Sequence, residues 1–217
     1  MADVMTFTTL RDELSDAFER GQSSTSDPLV FNEIAKCINR AERRIARDIK
    51  VQGLQETVTG SFASGVSVVA KPTRWRQTIS INFGNGTGNN VRNVMLPRAY
   101  EFVTTVYPNR TTTGTPRYYA DYDVDHWLIG PTPDAAYPFE ALYYAVPAFL
   151  DDSNPTNWLT EVMPDVLLNA ASRELAVFLK ADARAASFEG LYKAGLGGVS
   201  KEDAEKAIDR TTVRKGA

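Results

Sequence analysis

Residues 27–50 constrain the fold more than any other stretch, because they spell an amphipathic helix whose apolar face must be buried. Asp27 offers a side-chain acceptor to the free N–H groups of a first turn, and Pro28 falls where a missing N–H costs nothing. Phe31, Ile34, Ile38, Ala41, Ile45 and Ile49 recur at helical spacing and make one apolar stripe. Lys36, Arg40, Arg43, Arg47 and Lys50 make a second stripe, nearly opposite the first at roughly 100° of rotation per residue. Gly53 is placed to end the helix.

The other apolar helical faces lie close to the chain ends. A helix over Thr9–Arg20, with Thr9 as its cap and Asp12 and Glu13 in its first turn, turns Leu10, Leu14, Ala17 and Phe18 to one side. Beyond Pro164, Leu167, Ala171, Leu175 and Phe178 line another face, widened by Leu168 and Leu179. A shorter helix over Asp182–Ala194 should stop at Gly195, with Gly197 and Gly198 loosening the chain further. Between these ends the helical period disappears. Gln55–Ser61, Val66–Ala70, Trp75–Phe83, Tyr100–Tyr107, Arg117–Tyr122, Trp127–Ile129 and Phe139–Val146 read as strands, with turns at Gly84–Asn90 and Pro131–Asp134. Each amphipathic helix needs a partner, and the simplest solution packs the two ends together. The expected fold is therefore α+β: an antiparallel helical bundle from residues 1–53 and 151–195, an inserted β-sandwich or barrel-like lobe at 54–150, and a flexible C-terminal arm at 196–217.

Charge is unevenly spread. The net charge of −3 argues against a general nucleic-acid binder. Residues 1–33 carry two basic and seven acidic side chains, whereas residues 34–50 carry six basic and two acidic. Such asymmetry bears on association rather than on fold. The basic stripe is thus a candidate protein interface, set against the commoner fate of a solvated helix face. No secretion signal is visible, and Pro164, Asp165, Arg173 and Glu174 interrupt the most apolar stretch, Val162–Leu179, so no membrane span is expected.

Chemistry finds little support. Gly84-Asn-Gly86-Thr-Gly88 lacks the third glycine of a dinucleotide loop and no helix follows it. Asp121, Asp123 and Asp125 start like a calcium loop, but His126 and Thr132 stand where glycine and glutamate belong. His126 is the sole histidine and no nucleophile elbow accompanies it, while Cys37, the sole cysteine, reads as a packing residue. No catalytic residue, cofactor or metal site is expected. The many tyrosines of the middle segment lack basic interleaving and read as core and interface.

Three groups of residues share an order with one family. Phe31 is followed by Ala41-Glu42-x-x-Ile45. The middle segment holds Pro116-Arg-Tyr118-Tyr119, Leu128, Pro131-x-Pro133-Asp134, Tyr137 and Leu142-x-Tyr144. The last part holds Asn157-Trp158-Leu159, Pro164-Asp165-x-Leu167-Leu168, Glu174, Leu179, Asp182-x-Arg184 and Tyr192. Together these resemble the head-to-tail adaptor (connector) proteins of tailed bacteriophages, particularly the larger adaptors of short-tailed phages. One departure is Phe188, where the family pattern leads one to expect tryptophan. The resemblance implies a non-enzymatic virion protein of the neck, made in the host cytoplasm, forming a ring of about a dozen identical subunits beneath the portal protein. It also implies a downstream tail or nozzle partner, a channel that DNA crosses without specific binding, and a C-terminal arm that engages the portal. In this chain that portal-docking arm would be Arg210, Thr211, Thr212, Val213, Arg214 and Lys215, the one late stretch with strand preference between basic residues. The alternatives are another phage tail-completion or assembly module, or a β-rich carbohydrate-binding or hydrolase domain.

Overall fold

The structure is a computed structural model that describes residues 4–84 and 91–207. It is a mixed α/β protein with six helices among the described residues and a seven-stranded, barrel-like sheet. The chain separates into two compact units, one formed by the residues up to Leu54 together with those from Val146 onward, the other by Gln55–Ala145.

In the first unit, helix α1 is Phe7–Phe18 and helix α2 is Pro28–Asp48. The cap of α1 is Thr6, not Thr9: each hydroxyl takes the other residue's N–H, a reciprocal box that places Thr9 at the third helical position. Its buried face is Phe7, Leu10, Leu14, Ser15 and Phe18, while Ala17 is exposed. Helix α2 is capped by Asp27 with Pro28 following, as its sequence dictates, and buries Ile34, Ile38, Ala41, Ile45 and Ile49. It stops at Asp48 rather than at Gly53. Gly53 lies in a 3-10 turn, Gln52–Leu54, where a Cβ would overlap the Trp158 indole.

Helices α4 (Trp158–Val162), α5 (Pro164–Phe178) and α6 (Asp182–Ala207) complete this unit. Asn157 caps α4 by accepting the N–H groups of Leu159 and Thr160. Helix α5 packs on α2 and α6, and α1 touches both α2 and α5. Leu167, Ala171 and Leu175 of helix α5 are buried as expected, joined by Val166 and Ala170, while Phe178 is exposed and Leu168 and Leu179 are half-buried. The break expected at Gly195 is absent: α6 runs through Gly195, Gly197 and Gly198 to Ala207. Gly195 sits where α6 approaches α5, and a Cβ there would come within 2.7 Å of Val166. Asp203 then accepts the Gln52 N–H at 3.0 Å, fastening the late part of α6 to the turn after α2. The expected flexible arm is therefore helix as far as Ala207, and Arg210–Lys215 lie outside the described residues.

In the second unit the strands are β1 (Gln55–Phe62), β2 (Val68–Ala70), β3 (Trp75–Phe83), β4 (Asn93–Pro97), β5 (Thr113–Gly114), β6 (Tyr118–Asp121), β7 (His126–Gly130), β8 (Thr132–Pro133) and β9 (Tyr137–Ala145). The main sheet has the order β1-β9-β3-β4-β6-β7-β2, and β5 pairs with β8 alone. The sandwich alternative fails, since the seven long-range strands share one sheet rather than two packed ones. Phe62 stacks on Phe139 at 4.5 Å, and Ile81, Met95, Trp127, Ile129 and Ala141 fill the core around them. Tyr100–Tyr107, which reads as strand from its sequence, is instead helix α3, Tyr100–Val106. The β-branched residues favour a strand locally, but Val103 buries against Ala120 and Leu128, with Tyr107 at the C-cap and Val68 packed half-buried on the same cluster. Gly130 makes room for Val103: a Cβ there would meet it at 2.7 Å. Strand β4 escaped the sequence reading because only Met95 of its five residues is buried.

Candidate functional site

Lys36, Arg40, Arg43 and Arg47 project from the exposed side of α2, and Lys50 is exposed two residues past its end. Glu33 lies in the same stripe, three residues before Lys36 and seven before Arg40, and takes both: Lys36 Nζ at 3.0 Å and Arg40 Nη1 at 2.8 Å. Burial works to raise the Glu33 carboxyl, but hydrogen bonds from Lys36 and Arg40 outweigh it and hold the group below its usual range. Arg43 lays its guanidinium 4.6 Å from the centre of the Phe149 ring. Arg47 continues the exposed stripe into the last turn of the helix.

Arg44, outside the stripe, faces inward. It donates to Glu189 of α6 at 2.8 Å and lies 4.4 Å from the Tyr192 ring, whose hydroxyl donates to Asp48 at 2.6 Å. Hydrogen bonding from Arg44 pulls the Glu189 carboxyl down to about 2. The cations of α2 thus divide by direction: Arg44 joins α2 to α6, and the stripe faces solvent.

On the buried side stands a carboxylate that sequence reasoning did not single out. Glu42 is fully buried. Its two oxygens accept the Leu150 N–H at 3.2 Å, and Oε1 also accepts Asn157 Nδ2 at 2.7 Å. Desolvation drives its pKa up to about 7, against the opposing pull of those hydrogen bonds. Asn157 also caps α4, so one side chain links the cap to the long helix.

Other candidate chemistry resolves into local structure. Cys37 is buried, and desolvation pushes its thiol up to about 12, far from a reactive thiolate. Asp121 pairs with Lys71 at 2.8 Å, while Asp123 accepts the Asp125 N–H at 2.7 Å and faces His126 Nδ1 at 2.9 Å. These carboxylates organise the turn between β6 and β7. Among the described residues, no three His, Cys, Asp or Glu side chains gather as metal ligands. Asn85–Gly88 of the glycine-rich loop lie outside the described residues.

Two of the stretches quoted for the resemblance, Ala41-Glu42 and Asn157-Trp158-Leu159, are therefore in direct contact through Glu42 and Asn157. The family model described as SU10 adaptor protein matches residues 5–215. The chain belongs to the SU10 adaptor protein family. No curated protein matches the chain. As an SU10 adaptor it is a structural protein of a bacteriophage virion, and its working surfaces are those that meet other virion proteins. No helix among the described residues is long and apolar enough to cross a membrane. Phe188, standing where tryptophan was expected, packs its ring 5.9 Å from Phe18 of α1.

Proposed function

We propose that this SU10 adaptor is a head-to-tail connector of a short-tailed phage, assembling as a ring of about a dozen copies beneath the portal and forming part of the channel through which DNA leaves. The observation that carries the reading is the family match over nearly the whole chain, residues 5–215. In this reading the helices from both chain ends act as one antiparallel bundle that carries the ring contacts, and Gln55–Ala145 is a lobe inserted into it. The basic stripe Lys36, Arg40, Arg43, Arg47 and Lys50 is a protein interface, and Arg210–Lys215 dock on the portal. A tail or nozzle protein binds below. The adaptor acts by binding alone, with no chemical step, cofactor or metal. The net charge of −3 suits a conduit, since a strongly basic wall would hold the DNA it must release.

Electron microscopy of the purified protein mixed with its phage's portal tests this. Closed rings seated on the portal are the expected image, and they should be lost when residues 208–217 are removed. A protein that stays monomeric and unbound in the presence of portal overturns the reading.

A further inference from the structure

We propose that neighbouring copies in the ring are joined by the basic face of α2 in one copy seated on the acidic face of α1 in the next, an inference that rests on the ring reading above. Helix α1 turns Phe7, Leu10, Leu14 and Phe18 inward, which leaves Asp12 and Asp16 on its exposed side, with Glu19 exposed at its left-handed C-cap. Asp12 and Asp16, four residues apart, share one helical face. On α2, Lys36, Arg40, Arg43 and Arg47 follow one another at intervals of four, three and four residues along one exposed face, and Lys50 is exposed two residues past the end of the helix. Two helices crossing at a shallow angle of about 20° keep residues of that period opposite one another. From Lys36 to Arg47 the stripe is about 16 Å long at ~1.5 Å per residue, longer than the step from Asp12 to Asp16 that it would cover.

The acidic side extends past α1. Glu13, Glu161 and Asp165 border a groove of about 400 Å³ whose lining includes Met5 and Leu168. An arginine fits such a groove with its stem on the apolar part and its guanidinium among the carboxylates. Among the described residues, none of Asp12, Glu13, Asp16, Glu19, Glu161 and Asp165 makes an ion pair. Within the basic stripe, Glu33 is one carboxylate shared between the two cations Lys36 and Arg40. The two faces are different, which makes the contact head-to-tail, the kind that closes into rings instead of stopping at dimers. Both occur in the same compact unit of the chain.

Charge reversal in trans tests the pairing. One full-length variant carries Arg43→Glu, Arg47→Glu and Lys50→Glu; the other carries Asp12→Lys, Asp16→Lys and Glu19→Lys. All six positions are exposed, and circular dichroism verifies that both variants remain folded. Alone, each should assemble on portal roughly tenfold or more less well than the unmodified protein at low salt. Mixed in equal amounts they should recover assembly, since each supplies the face the other lacks, giving rings in which the two variants alternate. A chain carrying all six reversals should assemble by itself. If each variant is defective and neither the mixture nor the six-fold chain recovers, the α1–α2 pairing is wrong although the ring stands. If the unmodified protein forms no ring, the ring reading itself has failed. If the α2 variant assembles normally but loses affinity for a duplex DNA probe, the stripe serves phosphates and the pairing is overturned.

Discussion

At the scale of single residues, Glu42 is the group whose environment departs most from water. It sits dry inside the helical unit, with Leu150 N–H and the Asn157 amide as its donors, Arg43 as a nearby cation and Asp151 as a nearby anion. Because burial dominates, its folded pKa of about 7 lies above the 4.5 ordinary for a glutamate. The folded state therefore holds the proton more tightly than the unfolded chain does. Below the unfolded pKa both states are protonated and the site costs nothing. As pH rises through about 7 the buried group must ionise, and stability is lost. At about 1.4 kcal/mol per pH unit this is on the order of 3 kcal/mol. We expect thermal unfolding of the protein to show a loss of that order between acidic and mildly alkaline pH, and Glu42→Gln to remove most of it. The side-chain amide of that variant keeps an acceptor for Asn157 but has no proton to lose. Glu42→Ala should instead destabilise at every pH, by about 2–4 kcal/mol, since it leaves both donors unpaired beside a cavity. Parallel pH dependences for the unmodified protein and Glu42→Gln would show that the carboxyl is not what titrates.

Among the elements, α6 differs most from what its residues imply one at a time. Three glycines in four positions read as a break, yet the helix is continuous there. The three differ in surroundings: Gly195 is pressed against Val166, whereas Gly197 and Gly198 have nothing within reach of an added Cβ. Alanine at Gly197 and Gly198 should stabilise the helix by about 0.5–1 kcal/mol each. Alanine at Gly195 should gain the same propensity and lose more through the clash with Val166. Circular dichroism and unfolding midpoints of Gly197→Ala/Gly198→Ala against Gly195→Ala would separate them, and no gain in either from the double variant would mean that the helix is broken in solution. Helix α2 was legible because its cap, its proline and its apolar stripe all agree, and the basic face followed from the same spacing. What could not be read locally was decided by partners distant in the chain. Val103 becomes helical where it meets Ala120 and Leu128 beside Gly130, and Gly195 stays helical where it meets α5. The part of Glu33 in the site was within reach of sequence reasoning, three and seven residues from the cations it holds. That of Glu42 was not, because its donors are supplied by the returning chain at Leu150 and Asn157.

For the whole molecule, the register of the sheet bears on whether the helical unit needs its middle segment in order to fold. Strand β1 begins at Gln55 and β9 ends at Ala145, and the two are antiparallel neighbours with Gln55 opposite Tyr144. Directly paired residues on adjacent strands lie roughly 5 Å apart. The chain therefore leaves for the β unit and comes back from it at nearly one point, so a few flexible residues suffice to join Leu54 to Val146. The core of the helical unit, with Leu10, Leu14, Ile34, Ile38, Ile45, Leu150, Leu159, Leu167 and Leu175 all buried, draws on residues outside Gln55–Ala145. Its polar ties do likewise: Glu42 to Leu150 and Asn157, and Arg44 to Glu189. Replacing residues 55–145 with a short glycine–serine linker should accordingly leave a soluble protein, helical by circular dichroism, that unfolds cooperatively. Because loop-closure entropy grows only slowly with length, shortening the connection should if anything favour the helical unit. The excised segment 55–145 should fold by itself around Phe62, Trp127 and Phe139, whose burial is internal to it. An unfolded linker variant, under conditions where the full chain is folded, would mean that the two units stabilise one another and that the β unit is not a separable insertion.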